Sequence, residues 1–377
     1  MHGKTTAAFG SDSVSAAPVS WRQPCANTEY TLHQLSPYIG KIKSRIAAEL
    51  VEAYSIPGDL VVDPFAGSGT IPFEAAVRER RVFASDNSPY ARILTLGKLN
   101  APRTLADAEC FLEKALKEAD AMPLPDVTGV PGWVRSFFHP DTLREIIRFA
   151  QICRRSGNEF LMAALLGILH HQRPGFLSFP SSHLVPYLRD KKYPRSEYPE
   201  LYEYRDLEPR LRAKLRRSYR RMPREVGLSF EFVQRPVEEL AWPAEFNALI
   251  TSPPYMNALD YGRDNRLRLW FIDPTLADRV DNVTTRSRIG FSEAIDSVAR
   301  RVESNLTSGG WCVFVVGSTV RRGFSAHPSN AVSASLKLNA PSLHLETTLV
   351  DQIPDVRRTR RECSGVKTEY VLIYRKT

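Results

Sequence analysis

Apolar positions along this chain follow two different periods, and the switches between them mark out its elements. "LVVD" (60–63), "RVFASD" (81–86) and "FNALIT" (246–251) are short, nearly continuous apolar runs bounded by polar, Pro or Gly residues. That is the pattern of strands buried on both faces. "LSFEFV" (228–233) and "WCVFVVG" (311–317) read the same way, while "HLETTLVDQI" (344–353) and "EYVLIYR" (369–375) alternate and suit a closing antiparallel hairpin. Between the first strands the spacing becomes helical. Ile42, Ile46, Ala47 and Leu50 share one face of a helix predicted over 37–54, and "IPFEAAVRER" and "SPYARILTLGKLN" follow the first and second strands. A strand-helix-strand-helix start implies a parallel sheet.

Residues 101–227 change character. They hold helical patterns such as "TLREIIRFAQICRR" and "EFLMAALLGILHH", interrupted by a proline- and aromatic-rich stretch, "RPGFLSFPSSHLVPYLRDKKYPRSEYPELYEYR". That stretch is too polar and too often broken for a sheet core. The expected organisation is therefore one α/β domain formed by 30–100 and 228–377, with a helix-rich insertion over 101–227. Residues 1–29 read as a flexible lead-in without the basic region and apolar core of a secretory signal. No run of eighteen apolar residues exists to span a membrane. The five scattered cysteines lack CxxC spacing and His170-His171 lacks an HExxH context, which points to a reducing cytoplasm and no metal site.

Charge sharpens the picture of the insertion. The chain carries a net +9, and from Arg189 to Arg224 thirteen Lys/Arg stand against six Asp/Glu. The densest run, "RLRAKLRRSYRRMPR", is either a solvated helix face or a surface turned toward phosphates. Tyr187, Tyr193, Tyr198, Tyr202, Tyr204 and Tyr219 are interleaved with these cations, and "SSHL" offers groups for phosphates or base edges. A helical cap over the neighbouring pocket would need the same composition.

Two short stretches carry candidate chemistry. In "VVDPFAGSGTIPFEAA" a strand runs into a glycine turn and then a helix, so that Gly67 and Gly69 allow a tight bend and close approach of a ligand. Such a turn takes phosphates or the carboxylate and ribose of a nucleoside cofactor. It is neither a Walker loop nor GxGxxG. Asp86 ends the next strand about twenty residues on, where a Rossmann-like sheet places a carboxylate against ribose hydroxyls. The second stretch is "LITSPPYMNALDY". Two prolines fix the backbone and cannot donate, and they push the residues before them out of the helical region. Ser252-Pro253-Pro254-Tyr255 is thus a stiff turn that either just ends a strand or presents a hydroxyl, carbonyls and an aromatic ring.

"DPFAGSGT" and "TSPPY" resemble the cofactor and catalytic motifs of the S-adenosylmethionine-dependent DNA amino-methyltransferases, and "HQLSPYIGKIKSRIAAEL" resembles that family's cofactor-facing helix. The resemblance covers about 30–100 and 228–377. It implies a Rossmann-like, seven-stranded, mostly parallel sheet with a C-terminal antiparallel hairpin strand and a largely helical insertion. It assigns Asp63, Pro64, Phe65, Ala66, Gly67, Gly69, Thr70, Asp86, Asn87, Tyr38 and Lys41 to S-adenosyl-L-methionine. Ser252, Pro253, Pro254 and Tyr255 become catalytic. The Ser252 hydroxyl and the Pro253 carbonyl would grip the N–H bonds of an exocyclic amine, and Tyr255 would stack on a base extruded from duplex DNA. Serine at 252 goes mostly with cytosine N4 in that family, adenine N6 being the alternative. C5 chemistry would need a Pro-Cys turn after the fourth strand, whereas the Pro-Cys here, Pro24-Cys25, precedes the cofactor motif.

The chain departs from the family after its third strand, where "VQRPVEEL" offers Gln234, Arg235 and Glu238 for the cofactor's adenine, and in the placing of its insertion. Candidate DNA contacts are Arg189, Lys191, Lys192, Arg216, Arg217, Arg220, Arg221 and Arg263. Arg263 and Arg266 could equally pair with nearby Asp residues. The expected partner is double-stranded DNA in a prokaryotic cytoplasm, with room for a separate cognate restriction endonuclease and no membrane or metal. An RNA amino-methyltransferase and a catalytically silent DNA-binding subunit are the competing readings.

Overall fold

The computed structural model describes residues 14–23, 28–171, 173–180, 189–227, 229–254, 261–276, 288–319, 328–352 and 366–377. Eight strands form one sheet: β1 (Val14–Ala16), β2 (Leu60–Asp63), β3 (Arg81–Ser85), β4 (Phe230–Val233), β5 (Phe246–Thr251), β6 (Leu306–Thr319), β7 (Leu343–Gln352) and β8 (Val366–Lys376). Their order is β1-β7-β8-β6-β5-β2-β3-β4. β8 runs antiparallel to both β6 and β7, and the remaining pairs are parallel. The fold is the expected α/β sheet, with one strand more than the pattern predicted.

That extra strand lies in the lead-in. Val14–Ala16 pairs with Thr348–Val350 of β7, and Trp21 is 2% exposed with its indole N–H donating to Glu49 at 2.6 Å. Residues 14–23 are therefore docked rather than loose. A three-residue strand with little apolar alternation leaves almost no trace in the sequence, although the buried Trp21 is its natural anchor.

Helices α1 (Ser44–Tyr54), α2 (Thr70–Ala76) and α3 (Pro89–Leu99) belong to the first half of the sheet. The insertion supplies α4 (Leu105–Asp120), α5 (Gly132–Arg135), α6 (Pro140–Ser156), α7 (Glu159–Leu166), α8 (Arg189–Lys192) and α9 (Leu207–Ser218), and α10 (Tyr261–Ile272), α11 (Arg288–Asn305) and α12 (Pro328–Asn339) follow β5 and β6. Strand periodicity sorts the core onto two faces. Ala248, Ile250, Val313 and Val315 face one apolar cluster with α1, α2 and the insertion helices, and Phe246, Leu249, Cys312 and Phe314 face the other with α11 and α12.

The insertion shares that first core instead of forming its own. α7 lies so close to α3 that a Cβ on Gly97 would sit 2.9 Å from the Glu159 carbonyl oxygen. Each fully buried Leu, Ile or Phe in such a layer contributes roughly 1.5–3 kcal/mol, so the insertion and the sheet stabilise one another. The helix predicted over 37–54 begins only at Ser44. Gly40 adopts φ +79°, a left-handed conformation that ends any helical path through residues 37–43.

Candidate active site

β2 and β5 are parallel neighbours, with Val61 opposite Ala248 and Val62 opposite Leu249. Both strands end at the same edge of the sheet, so "DPFAGSGT" and "TSPPY" start side by side. A buried hydrogen bond joins them: the Thr251 hydroxyl donates to Asp63 Oδ1 at 2.6 Å.

The glycine turn is pinned at several points. The Ala66 amide donates to the Ser85 carbonyl at 2.9 Å, and the Gly69 amide to the Ala66 carbonyl at 2.7 Å. Gly67 and Gly69 have φ +52° and +70°. A Cβ on Gly69 would fall 2.6 Å from Thr95 Oγ1, so only glycine fits there. The fully buried Lys98 donates to the Ser68 carbonyl at 2.6 Å, and desolvation drives its amine well below the ordinary lysine range. Asp86 accepts the Gly67 amide at 2.9 Å and the Ser88 amide at 2.8 Å. Burial pushes its carboxyl up to about 6 despite those donors, and burial pushes Asp63 up to about 7.

One cavity of about 260 Å³ opens over this edge. Tyr38, Lys41, Asp63, Pro64, Phe65, Ala66, Gly67, Thr70, Asp86 and Asn87 line it, as do Ser252 and Pro254. Gly69 and Pro253 are buried and do not line it. Tyr255 falls outside the described residues, as do Cys25, Tyr187 and "SSHL". The Ser252 hydroxyl is half-buried and has no hydrogen-bond partner among the described residues. After β4 the wall is made by Arg235, Pro236, Val237 and Glu238, not by Gln234. Leu269 of α10 and Ala294 of α11 close the other side. Nothing in their local sequence distinguishes these apolar positions from ordinary core, which is why sequence reasoning missed them.

Tyr38 and Lys41 sit on a clamped loop rather than on a helix. The Tyr90 hydroxyl donates to the Pro37 carbonyl at 2.5 Å and shares a 2.7 Å hydrogen bond with Ser36. Lys41 donates to the His33 carbonyl at 2.8 Å, and Lys214 of α9 to the Gln34 carbonyl at 2.7 Å. His33 Nε2 meets Glu74 of α2 at 2.6 Å, and burial drives the imidazole toward its neutral form. The loop beside the cavity is thus held by α2, α3 and the basic helix α9 together.

The basic run divides in two. Arg212 pairs with Glu208 at 2.6 Å, Arg216 with Glu109 at 3.4 Å, and Arg221 is half-buried with its Nε donating to the Glu29 carbonyl at 2.9 Å. Arg217 and Arg220 are exposed, and the charges that act most on Arg217 are Arg220 and Arg173, which together with desolvation lower its pKa. Lys214, pushed down to about 7 chiefly by burial, feels Arg217 and Lys41. Arg217 thus has two further cations, Arg220 and Arg173, acting on it, and the buried Lys214 lies between Arg217 and Lys41 in charge terms. Lys191 and Lys192 are exposed, whereas the side chains of Arg189 and Arg263 lie outside the described residues. Several tyrosines serve internal packing: Tyr202 bonds the Tyr193 carbonyl, and Tyr219 bonds the Pro102 carbonyl at 2.8 Å. Among the described residues there is no cluster of three or more His, Cys, Asp or Glu that could hold a metal ion, and no helix is long and apolar enough to cross a membrane.

Residues 25–94 match the family model described as DNA methylase, of the N6/N4 type. That stretch holds the glycine turn and Asp86. S-adenosylmethionine is the cofactor of that family. The groups present suit it: a carboxylate at Asp86 for ribose hydroxyls, a glycine wall beside the Tyr38 ring, and the Asp63 carboxyl for a ligand of positive charge.

No match is found among curated proteins. Among solved structures, TrmN from Thermus thermophilus is 12% identical with a TM-score of 0.38, over 92% of this chain and 52% of TrmN, so the chain spans about half of that protein's length. The rRNA methyltransferase AviRa from Streptomyces viridochromogenes is 12% identical with a TM-score of 0.35, over 94% and 96% of the two chains. A TehB-like SAM-dependent methyltransferase from Corynebacterium glutamicum is 9% identical with a TM-score of 0.33, over 89% of each.

Proposed function

We propose that this chain methylates the exocyclic amine of a base extruded from duplex DNA, cytosine N4 in particular. One observation carries the reading: a single cavity is lined both by the cofactor turn and by Ser252 and Pro254 of the catalytic turn. Cofactor and acceptor would then share one space.

When bound, S-adenosylmethionine supplies an electrophilic methyl on a sulfonium. The chain's own part is to present the nucleophile. The lone pair of an exocyclic amine is delocalised into the base. Two acceptors on its N–H bonds draw the nitrogen toward tetrahedral geometry and aim the lone pair. The Ser252 hydroxyl, without a hydrogen-bond partner among the described residues, is one acceptor and the Pro253 carbonyl the other. Pro253 and Pro254 hold both rigidly, so positioning accounts for their contribution. With the cofactor held there, the aimed nitrogen would take the methyl with the thioether as leaving group, and the methylated amine would release one proton to water. Cations at Arg173, Arg217 and Arg220 are suited to the phosphates of the strand entering the site.

The test is incubation with methyl-labelled S-adenosylmethionine and either duplex DNA or total RNA, followed by digestion to nucleosides. Label in N4-methylcytosine from DNA is the expected result. Label in N6-methyladenine would show that serine at 252 does not set the base. Label in RNA alone would make the enzyme an RNA amino-methyltransferase, and label in neither would leave a silent binding subunit.

A further inference from the structure

Thr251 is the last residue of β5 and is fully buried. Its hydroxyl donates to Asp63 Oδ1, the same oxygen that accepts the Phe65 amide at 3.2 Å. Asp63 is 2% exposed yet lines the cavity, and its Oδ2 carries no hydrogen bond among the described residues. The Asp63 carboxyl therefore ties the two turns together through Oδ1 while the residue itself lines the cavity. Its place matters because the paired residues of β2 and β5 stop at Val62 and Leu249. Beyond that point β2 and β5 no longer pair with each other directly, although Asp63 still pairs with Ala84 of β3 and Thr251 with Phe314 of β6, and both motifs begin there.

We infer that Thr251 is a positioning residue that acts through Asp63, extending the register of β2 and β5 so that the catalytic turn is held against the cofactor turn. Ser252 follows directly, and the two prolines make the rest of the turn rigid, so fixing Thr251 fixes both proposed acceptors as one unit. The Thr251–Asp63 contact stands without reference to the reaction. Its consequence for rate rests on the methyl transfer proposed above.

A second consequence needs no nucleic acid. Burial and the charge of Asp86 on the adjacent strand favour the neutral acid at Asp63, while the Thr251 hydroxyl and the Phe65 amide favour the carboxylate. The balance lies at about 7. Asp86 is the charged group that acts on Asp63 among the described residues. S-adenosylmethionine carries a sulfonium and an ammonium, so it binds the ionised form better. Its affinity should fall as pH drops through about 7, and removing the Thr251 donor should move that fall to higher pH.

The experiment compares Thr251→Val, Thr251→Ser and Asp63→Asn with the full-length wild type. Calorimetry gives S-adenosylmethionine affinity from pH 5 to 9, and single-turnover methylation of DNA gives the chemical step. In Thr251→Val the fall in affinity should move to higher pH. The single-turnover rate should drop on the order of 10²-fold, the scale of a ~1 Å misplacement, with affinity at pH 9 unchanged. Thr251→Ser keeps the hydroxyl and should restore both. Asp63→Asn should abolish the step near pH 7. An unmoved pH step with an unchanged rate in Thr251→Val would overturn the inference. So would equal damage from Val and Ser, because the methyl rather than the hydroxyl would then matter. Should Thr251→Val not fold, a step near pH 7 that survives in Asp63→Asn would overturn it. If the wild type labels no nucleic acid while the step still moves in Thr251→Val, the contact stands and the proposed reaction falls.

Discussion

The C-terminal edge of the sheet and the outer face of α9 are both rich in polar groups, but they handle them in opposite ways. At the edge, polar atoms are tied inward. Asp86 holds two backbone amides, Lys98 holds the Ser68 carbonyl, and Thr251 holds Asp63. The conspicuous exception is the Ser252 hydroxyl. On α9 and just past its end, Arg217 and Arg220 are exposed, with Arg173 as a further cation acting on Arg217. The edge is preorganised to act on something already inside, and the helix face holds uncompensated charge for something outside. A buried polar group that is left unpaired costs about 1–3 kcal/mol, so an unpartnered hydroxyl in a cleft is informative. An exposed arginine costs little to leave unpaired, so its neighbours must be weighed before it says anything.

The largest effects should come from breaking the edge. Gly69→Ala combines a left-handed φ with a Cβ 2.6 Å from Thr95 Oγ1. A left-handed conformation costs a non-glycine residue roughly 1–2 kcal/mol, and overpacking adds about 1–3 kcal/mol. Gly67→Ala also has positive φ, but its Cβ would meet only the Tyr38 ring, at an ordinary 3.4 Å. Gly69→Ala should therefore lower the urea midpoint clearly more than Gly67→Ala. Equal midpoints would mean that the helix carrying Thr95 yields freely.

Ser252→Ala should come next. A missing hydrogen bond to a group gaining charge costs about 2.7–4 kcal/mol by analogy with oxyanion holes. The loss belongs in the single-turnover rate, with S-adenosylmethionine affinity nearly intact. A much smaller loss would place most of the polarisation on the Pro253 carbonyl.

Asp86→Ala should weaken S-adenosylmethionine at least tenfold, about 1.4 kcal/mol. The ionised carboxylate is the form that accepts ribose hydroxyls. Because burial holds this group up to about 6, the acceptor is lost as pH falls through that value. Wild-type affinity should weaken correspondingly in acid, and Asp86→Asn should remove that component while leaving the one attributed to Asp63. Titration calorimetry across pH 5 to 8 separates the two.

The same contrast explains what could be read in advance. Gly67 and Gly69 permit positive φ, and a proline pair stops a strand, so the strand-turn-helix and the end of β5 were legible residue by residue. β5 was predicted over the residues it occupies because an apolar run bounded by a proline turn has one natural length. Long-range packing was not legible. Helical spacing suggested a helix from 37, but Gly40 and the Tyr90–Pro37 contact make that segment a loop. Composition set the insertion apart as a module, yet Gly97 and Glu159 place α3 and α7 in one core. The run of arginines gave no hint that Arg221 is held by a backbone carbonyl, or that Arg173, far away in sequence, belongs beside Arg217.

The smallest expected effect tests the helix face itself. If the face serves phosphates, its arginines should not be equivalent. Arg173, Arg217 and Arg220 have no carboxylate among the strongest charges acting on Arg217, whereas Arg212 and Arg216 are paired with Glu208 and Glu109. Each phosphate contact that releases a counterion contributes about 0.9 to the slope of log affinity against log salt for duplex DNA. Replacing Arg173, Arg217 and Arg220 by Gln should then reduce the slope by up to about 2.7. Replacing Arg212 and Arg216 should change it far less, because their charge is already balanced and surface pairs of this kind contribute only about 0–1 kcal/mol to stability. Cofactor affinity measured without DNA should stay near wild type in both sets. Equal slopes for the two sets would reduce the run to a solvated face and move the search for DNA contacts to other surfaces. A larger change from the paired set would mean that Glu208 and Glu109 give up their partners when DNA arrives.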